Sequence, residues 1–309
     1  MTVDDVMAQL EKAGSAQTRK TYARHGITSP MFGVGYAVLG KLVKTIKVDQ
    51  ALAEALWTTG NHDARILATM IADPKTIGRK QLDAWAKVAD NYVIPDAIAR
   101  LVAKTPDARA TAEAWAKSNG EHVGQCGWTV LALLAGGGDA VSEADSLTLL
   151  GRIEREITTA KNRVRHSMNS TLIAIGGRSA KLRAAALATH QRIGTVAVDH
   201  GDTACVTPNA KAYIAKIWAR KKDRDVPDPR RQTTLQARRR LPGRRPPSAG
   251  GKCRRIGALL RATAWLPARG APGYAAGIGG PRARRGADWP GRERRRPGPG
   301  WSVLRSDER

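Results

Sequence analysis

Apolar residues return every three or four positions in twelve successive stretches of this chain, from VDDVMAQLEKAG at residues 3–14 to AKLRAAALATHQRIG at residues 180–194. That spacing places them on one face of a helix, whereas the two-residue alternation of a strand is nearly absent. The linkers are short, which favours antiparallel neighbours stacked in chain order. The expected fold is all-α: an α-solenoid of HEAT-like paired helices, with about 40 residues per unit. Ser15, Asp49 and Thr105 are N-cap candidates, the last with Pro106 at the first helical position, and Gly14, Gly26, Gly60 and Gly136 stand where helices should stop.

The periodicity ends with AYIAKIWARKK, and composition changes with it. Residues 226–309 hold 20 Arg and one Lys against five acidic residues, a net of +16, while residues 1–225 carry a net of +9. Residues 1–225 are therefore expected to be the helical-repeat domain. For the Arg-, Pro- and Gly-rich remainder two expectations stand. It is either a disordered basic tail, too poor in apolar surface to order, or GC-rich sequence read in the wrong frame. No function is assigned to it.

Cys126, Cys205 and Cys253 are widely separated, which suggests reduced thiols in a cytoplasmic protein rather than a disulfide framework. The acidic, amphipathic N-terminus does not read as a signal peptide, and no run reaches the roughly 20 apolar residues of a membrane span. A soluble monomer with no membrane partner is expected, with no metal and no cofactor. VDHGDTACVTP gathers Asp199, His200, Asp202 and Cys205, but at no standard zinc spacing, so an ordered loop is the plainer reading. GVG and GGG lack the strand and helix context of nucleotide cradles.

The hexapeptide NYVIPD puts Tyr92 and Asp96 four positions apart, with Arg100 four further on, so the three should share one helix face opposite Ile94, Ile98, Leu101 and Val102. Unaided, the plainer reading of Asp96 and Arg100 is a solvated ion pair. Trp57, Trp85 and Trp115 lie in apolar stripes and read as core. Basic residues cluster in KNRVRHSMNS, with Arg163 and Arg165, and in GGRSAKLR, with Arg178 and Lys181. Such turns suit the phosphates of double-stranded DNA better than an acidic small molecule.

Residues 32–73, FGVGYAVLGKLVKTIKVDQALAEALWTTGNHDARILATMIAD, followed by LDAWAKVADNYVIPD, resemble the HEAT-repeat-like DNA alkylation-repair glycosylases, the AlkD-like proteins. The likeness lies in the order and spacing of a Gly-Val segment leading into a helix, a Leu-Trp pair, a His-x-x-Arg helix start and an aspartate four residues after an aromatic. It spans roughly residues 5–220. The resemblance implies that Asp96 is the catalytic carboxylate and that Tyr92 lies beside the lesion-bearing nucleotide. The implied reaction is hydrolysis of the N-glycosidic bond of N3- or N7-alkylated purines in duplex DNA.

The resemblance also implies a Trp and a DNA-contacting Arg in GEHVGQCGW, where His122 and Gln125 stand instead. It implies a second active-site tryptophan that SMNSTLIAIGG does not supply. Gln125 and Trp128 complete the DNA-binding candidates, although Trp128 also fits a core position. The alternative function is a non-catalytic helical-repeat module that binds DNA or a protein partner.

Overall fold

A computed structural model describes residues 1–137 and 140–225, apart from the side chains of residues 222–225. The low-complexity segment 226–309 lies outside the described residues. The regular elements among the described residues are all helices: α1 (Val3–Ala13), α2 (Ala16–Arg24), α3 (Tyr36–Ile46), α4 (Gln50–Thr58), α5 (His62–Ile71), α6 (Arg79–Lys87), α7 (Val93–Val102), α8 (Ala108–Trp115), α9 (Glu121–Gly136), α10 (Glu143–Glu156), α11 (Asn162–Gly176), α12 (Ala180–Ile193) and α13 (Ala210–Asp225).

Local chemistry explains most boundaries. The Ser15 hydroxyl accepts the Thr18 N–H at 3.2 Å and the Asp49 carboxylate accepts the Leu52 N–H at 3.0 Å, so both act as N-caps. Thr105 does not: its hydroxyl donates to the Val102 carbonyl at 2.8 Å, finishing α7, and α8 begins only at Ala108. Two helices start earlier than their apolar periodicity suggests. α9 begins at Glu121 rather than near Trp128, and α11 at Asn162 rather than near Met168.

The helices form two layers. In one, α3 packs on α5, α5 on α7, α7 on α9, α9 on α11 and α11 on α13; α4, α6, α8 and α10 pack against the odd-numbered helix that follows each of them. This is the HEAT-like repeat arrangement expected from the sequence. Between the layers lies a continuous apolar core that includes Leu67, Trp85, Ile98, Trp128 and Leu131, each at most 1% exposed. Side chains of this size stabilise by roughly 1.5–3 kcal/mol each when fully buried. Trp57 and Trp85 stack with centroids 4.2 Å apart. At Gly127 a Cβ would lie 2.3 Å from the Ala116 nitrogen, so only glycine lets α9 approach α8 this closely.

Candidate functional site

Asn91 sets up the start of α7. Its Oδ1 accepts the N–H groups of Val93 and Ile94 at 3.0 and 3.3 Å. Tyr92 consequently occupies the N-cap and Asp96 the first turn, where unsatisfied N–H groups favour a carboxylate. Pro95 is tolerated there because first-turn nitrogens have no intrahelical acceptor.

The three residues expected on one face meet different surroundings. Tyr92 is buried, Asp96 half-buried and Arg100 exposed. Among the described residues Asp96 forms no ion pair, so the solvated Asp96–Arg100 pair is absent. Helix α9 packs against α7 and supplies the partners instead. Gln125 Nε2 donates to Asp96 Oδ1 at 3.1 Å and to the Tyr92 carbonyl at 2.7 Å. Thr129 Oγ1 donates to the same Oδ1 at 3.2 Å and lies 3.1 Å from Ser167 Oγ on α11. A polar row thus crosses α7, α9 and α11.

Burial raises the Asp96 pKa above the usual aspartate range; the hydrogen bonds from Gln125 and Thr129 and the charges of Arg100 and Arg163 oppose that rise. This carboxylate is oriented by neutral donors and remains unneutralised by a contacting cation.

Tyr92 is held on two sides. Its hydroxyl shares a hydrogen bond with His25 Nδ1, and the Arg163 guanidinium lies 3.8 Å from its ring centroid. Arg163 comes from the first turn of α11, whose backbone it anchors by donating its N–H to Glu121 at 2.7 Å. Burial, followed by Arg24 and Arg163, lowers the His25 pKa. His166, one turn along α11, is pushed down to about 4 by burial, His200 and Arg163, so its imidazole stays neutral near pH 7. The loop from residue 195 docks on this end of α11 through Asn162, whose side chain exchanges hydrogen bonds with the backbone of Asp199 at 2.7 Å.

The remaining basic candidates make internal contacts. Arg165 donates to the Ala197 and Ala160 carbonyls at 2.9 Å, and Arg178 to the Val141 carbonyl at 2.6 Å and Ser146 Oγ at 3.0 Å. Lys181 pairs with Glu143 at 2.7 Å, both well exposed. Trp128 is fully buried beneath the Arg152 guanidinium, so no surface presents it. Direct contacts therefore join Asp96, Tyr92, Gln125 and Arg163, whereas Trp128, Arg165, Arg178 and Lys181 are engaged by other groups.

His25, Thr129 and Ser167 join this constellation without having been singled out in the sequence, and the charge of Asp96 also acts on Tyr36. Tyr36 opens α3 and is 40% exposed. Burial of its hydroxyl and the nearby negative charge of Asp96 push its pKa up to about 12. Aromatic residues at helical spacing are so common in cores that position alone could not mark it.

The model of the DNA alkylation repair enzyme family matches residues 6–198. A solved structure from a family described as related to the HEAT-like repeat DNA glycosylases, with affinity for branched DNA structures, superposes with a TM-score of 0.67 at 30% identity, covering 72% of this chain and 95% of that one. An uncharacterized protein of Listeria monocytogenes is 28% identical over 229 residues, 72% of this chain and all of its own length. One from Listeria innocua is 26% identical over 223 residues, 70% and 97% of the two chains. Among the described residues no helix is long and apolar enough to cross a membrane.

Proposed function

This chain belongs to the DNA alkylation repair enzyme family, and on that premise we propose that it binds duplex DNA and hydrolyses the N-glycosidic bond of N3- or N7-alkylated purines, with Asp96 as the catalytic carboxylate. The observation that carries this reading is the state of Asp96: half-buried, oriented by Gln125 and Thr129, and without a salt-bridging cation. An alkylated purine is already cationic and leaves readily, so positive charge collects on the deoxyribose as the bond lengthens. A fixed carboxylate beside that sugar gains more attraction in the transition state than in the ground state. At about 4 Å and an effective dielectric near 20 the attraction is roughly 4 kcal/mol. Arg163 supplies positive charge for a flanking phosphate while its guanidinium rests on Tyr92. The test is incubation of the full-length protein with a duplex containing 7-methylguanine, scored for abasic sites.

One observation favours a second reading, DNA binding without excision. Tyr92 is 8% exposed beneath Arg163 and is bonded to His25, so its ring is not open to a nucleotide. The solved relative with affinity for branched DNA fits such a role. Binding of the 7-methylguanine duplex without abasic-site formation would select this reading.

A further inference from the structure

Tyr36 is the exposed member of the Tyr, Phe and Trp side chains among the described residues. It follows a turn whose backbone is held by several hydrogen bonds. Asp63, itself 1% exposed, accepts the backbone N–H groups of Phe32, Gly33 and Val34 at 2.7, 2.9 and 2.9 Å. The Tyr22 hydroxyl donates to the Val34 carbonyl at 2.8 Å. Gly33 has φ +77°, and a Cβ there would lie 2.7 Å from Arg19 Cγ and 2.8 Å from the Ser15 carbonyl oxygen. The chain is thus pinned up to two residues before the ring.

The Tyr36 hydroxyl lies within electrostatic reach of Asp96, Arg100 and Asp63. An aromatic ring on a fixed support loses little freedom when it stacks, and every nucleobase offers it a π-face. Tyr92, the aromatic the sequence pointed to, is already covered.

We propose that Tyr36 is the aromatic that stacks on a DNA base, in place of the buried Tyr92. This rests on the DNA-binding reading above but not on excision. A base next to a lesion or at a branch is partly unstacked and costs least to engage. Tyr36 therefore favours duplexes with a weakened base step over intact ones.

The test uses the full-length protein and a duplex carrying a tetrahydrofuran abasic-site analogue opposite 2-aminopurine, whose emission reports stacking and which needs no bond cleavage. Wild type, Tyr36→Phe and Tyr36→Trp should change the emission on binding. Tyr36→Leu should lose that change and bind about 5- to 150-fold more weakly, with an unaltered unfolding midpoint. Wild-type affinity and emission for Tyr36→Leu would overturn the assignment while leaving DNA binding intact. A loss in Tyr36→Phe equal to that in Tyr36→Leu would overturn stacking, because the hydroxyl would then carry the contact. Failure of the wild type to bind any duplex would overturn both this inference and the DNA reading beneath it.

Discussion

The side-chain amide of Gln125 lies 3.1 Å from Asp96 Oδ1 while also holding the Tyr92 carbonyl at 2.7 Å, so one residue of α9 fixes both members of the pair on α7. Gln125→Leu should therefore have two effects. The Tyr92 carbonyl and Asp96 lose a buried donor, which costs about 1–3 kcal/mol of stability, measurable by denaturant unfolding. The hydrogen bond that opposes the rise in the Asp96 pKa also disappears. On the proposed mechanism excision needs the ionised carboxylate, so its acid limb should lie above the usual aspartate range in the wild type and move higher still in Gln125→Leu. A limb in the variant at or below the wild-type position would contradict this.

Much of the fold can be read directly from the chain, because apolar spacing and caps act locally. Ser15 and Asp49 cap helices where expected. The misplacements are informative. The first two turns of α9 and α11 set polar groups against neighbouring helices and therefore lack an apolar stripe; Gln125, Arg163 and His166 lie there. At the site the spacing of Tyr92 and Asp96 gave their helical neighbourhood. Their partners come from residues 29 and more positions away, a relationship that local spacing does not encode. Basic clusters misled for a related reason. A positive charge is equally useful to a phosphate and to an internal carbonyl, and Arg178 serves the latter.

Arg163 and Arg178 should separate cleanly on substitution. If DNA binding neutralises four or so phosphates, log affinity should fall with log salt at a slope of about −3 to −4. Arg163→Ala should reduce the magnitude of that slope by about 1. Arg178→Ala should leave it unchanged and instead destabilise by about 1–3 kcal/mol, because Ser146 and the Val141 carbonyl lose their partner. Titrations at several salt concentrations, paired with thermal unfolding, would expose the reverse pattern.

Residues 1–225 should fold as a unit, which remains a proposal about organisation. Limited trypsin digestion should leave a protected fragment ending near Val226. Protection extending well beyond that position would move the boundary.

Substitution of Asp96 by Asn should not cost stability at neutral pH. Both hydrogen bonds, from Gln125 and Thr129, end on the single atom Oδ1, and an amide oxygen can accept both. A raised folded-state pKa means that protonation favours the folded protein; that contribution is present below the unfolded value and lost as pH rises through the folded one. Asp96→Asn should therefore melt at the same or a higher temperature than wild type near pH 7, with the difference shrinking on acidification. Thermal melts across the acidic range would show a growing difference if the sign were wrong.

Because Asp96→Asn preserves the hydrogen-bond geometry and removes the charge, it isolates the central claim. With full-length protein in excess over a duplex containing 7-methylguanine, the single-turnover rate of abasic-site formation should fall by about 30- to 1,000-fold in Asp96→Asn, corresponding to half or all of a roughly 4 kcal/mol interaction. DNA affinity should be unchanged or slightly higher in the variant, since a negative charge near phosphates has been removed. Equal excision rates for the wild type and Asp96→Asn would contradict the assignment of Asp96 as the catalytic carboxylate.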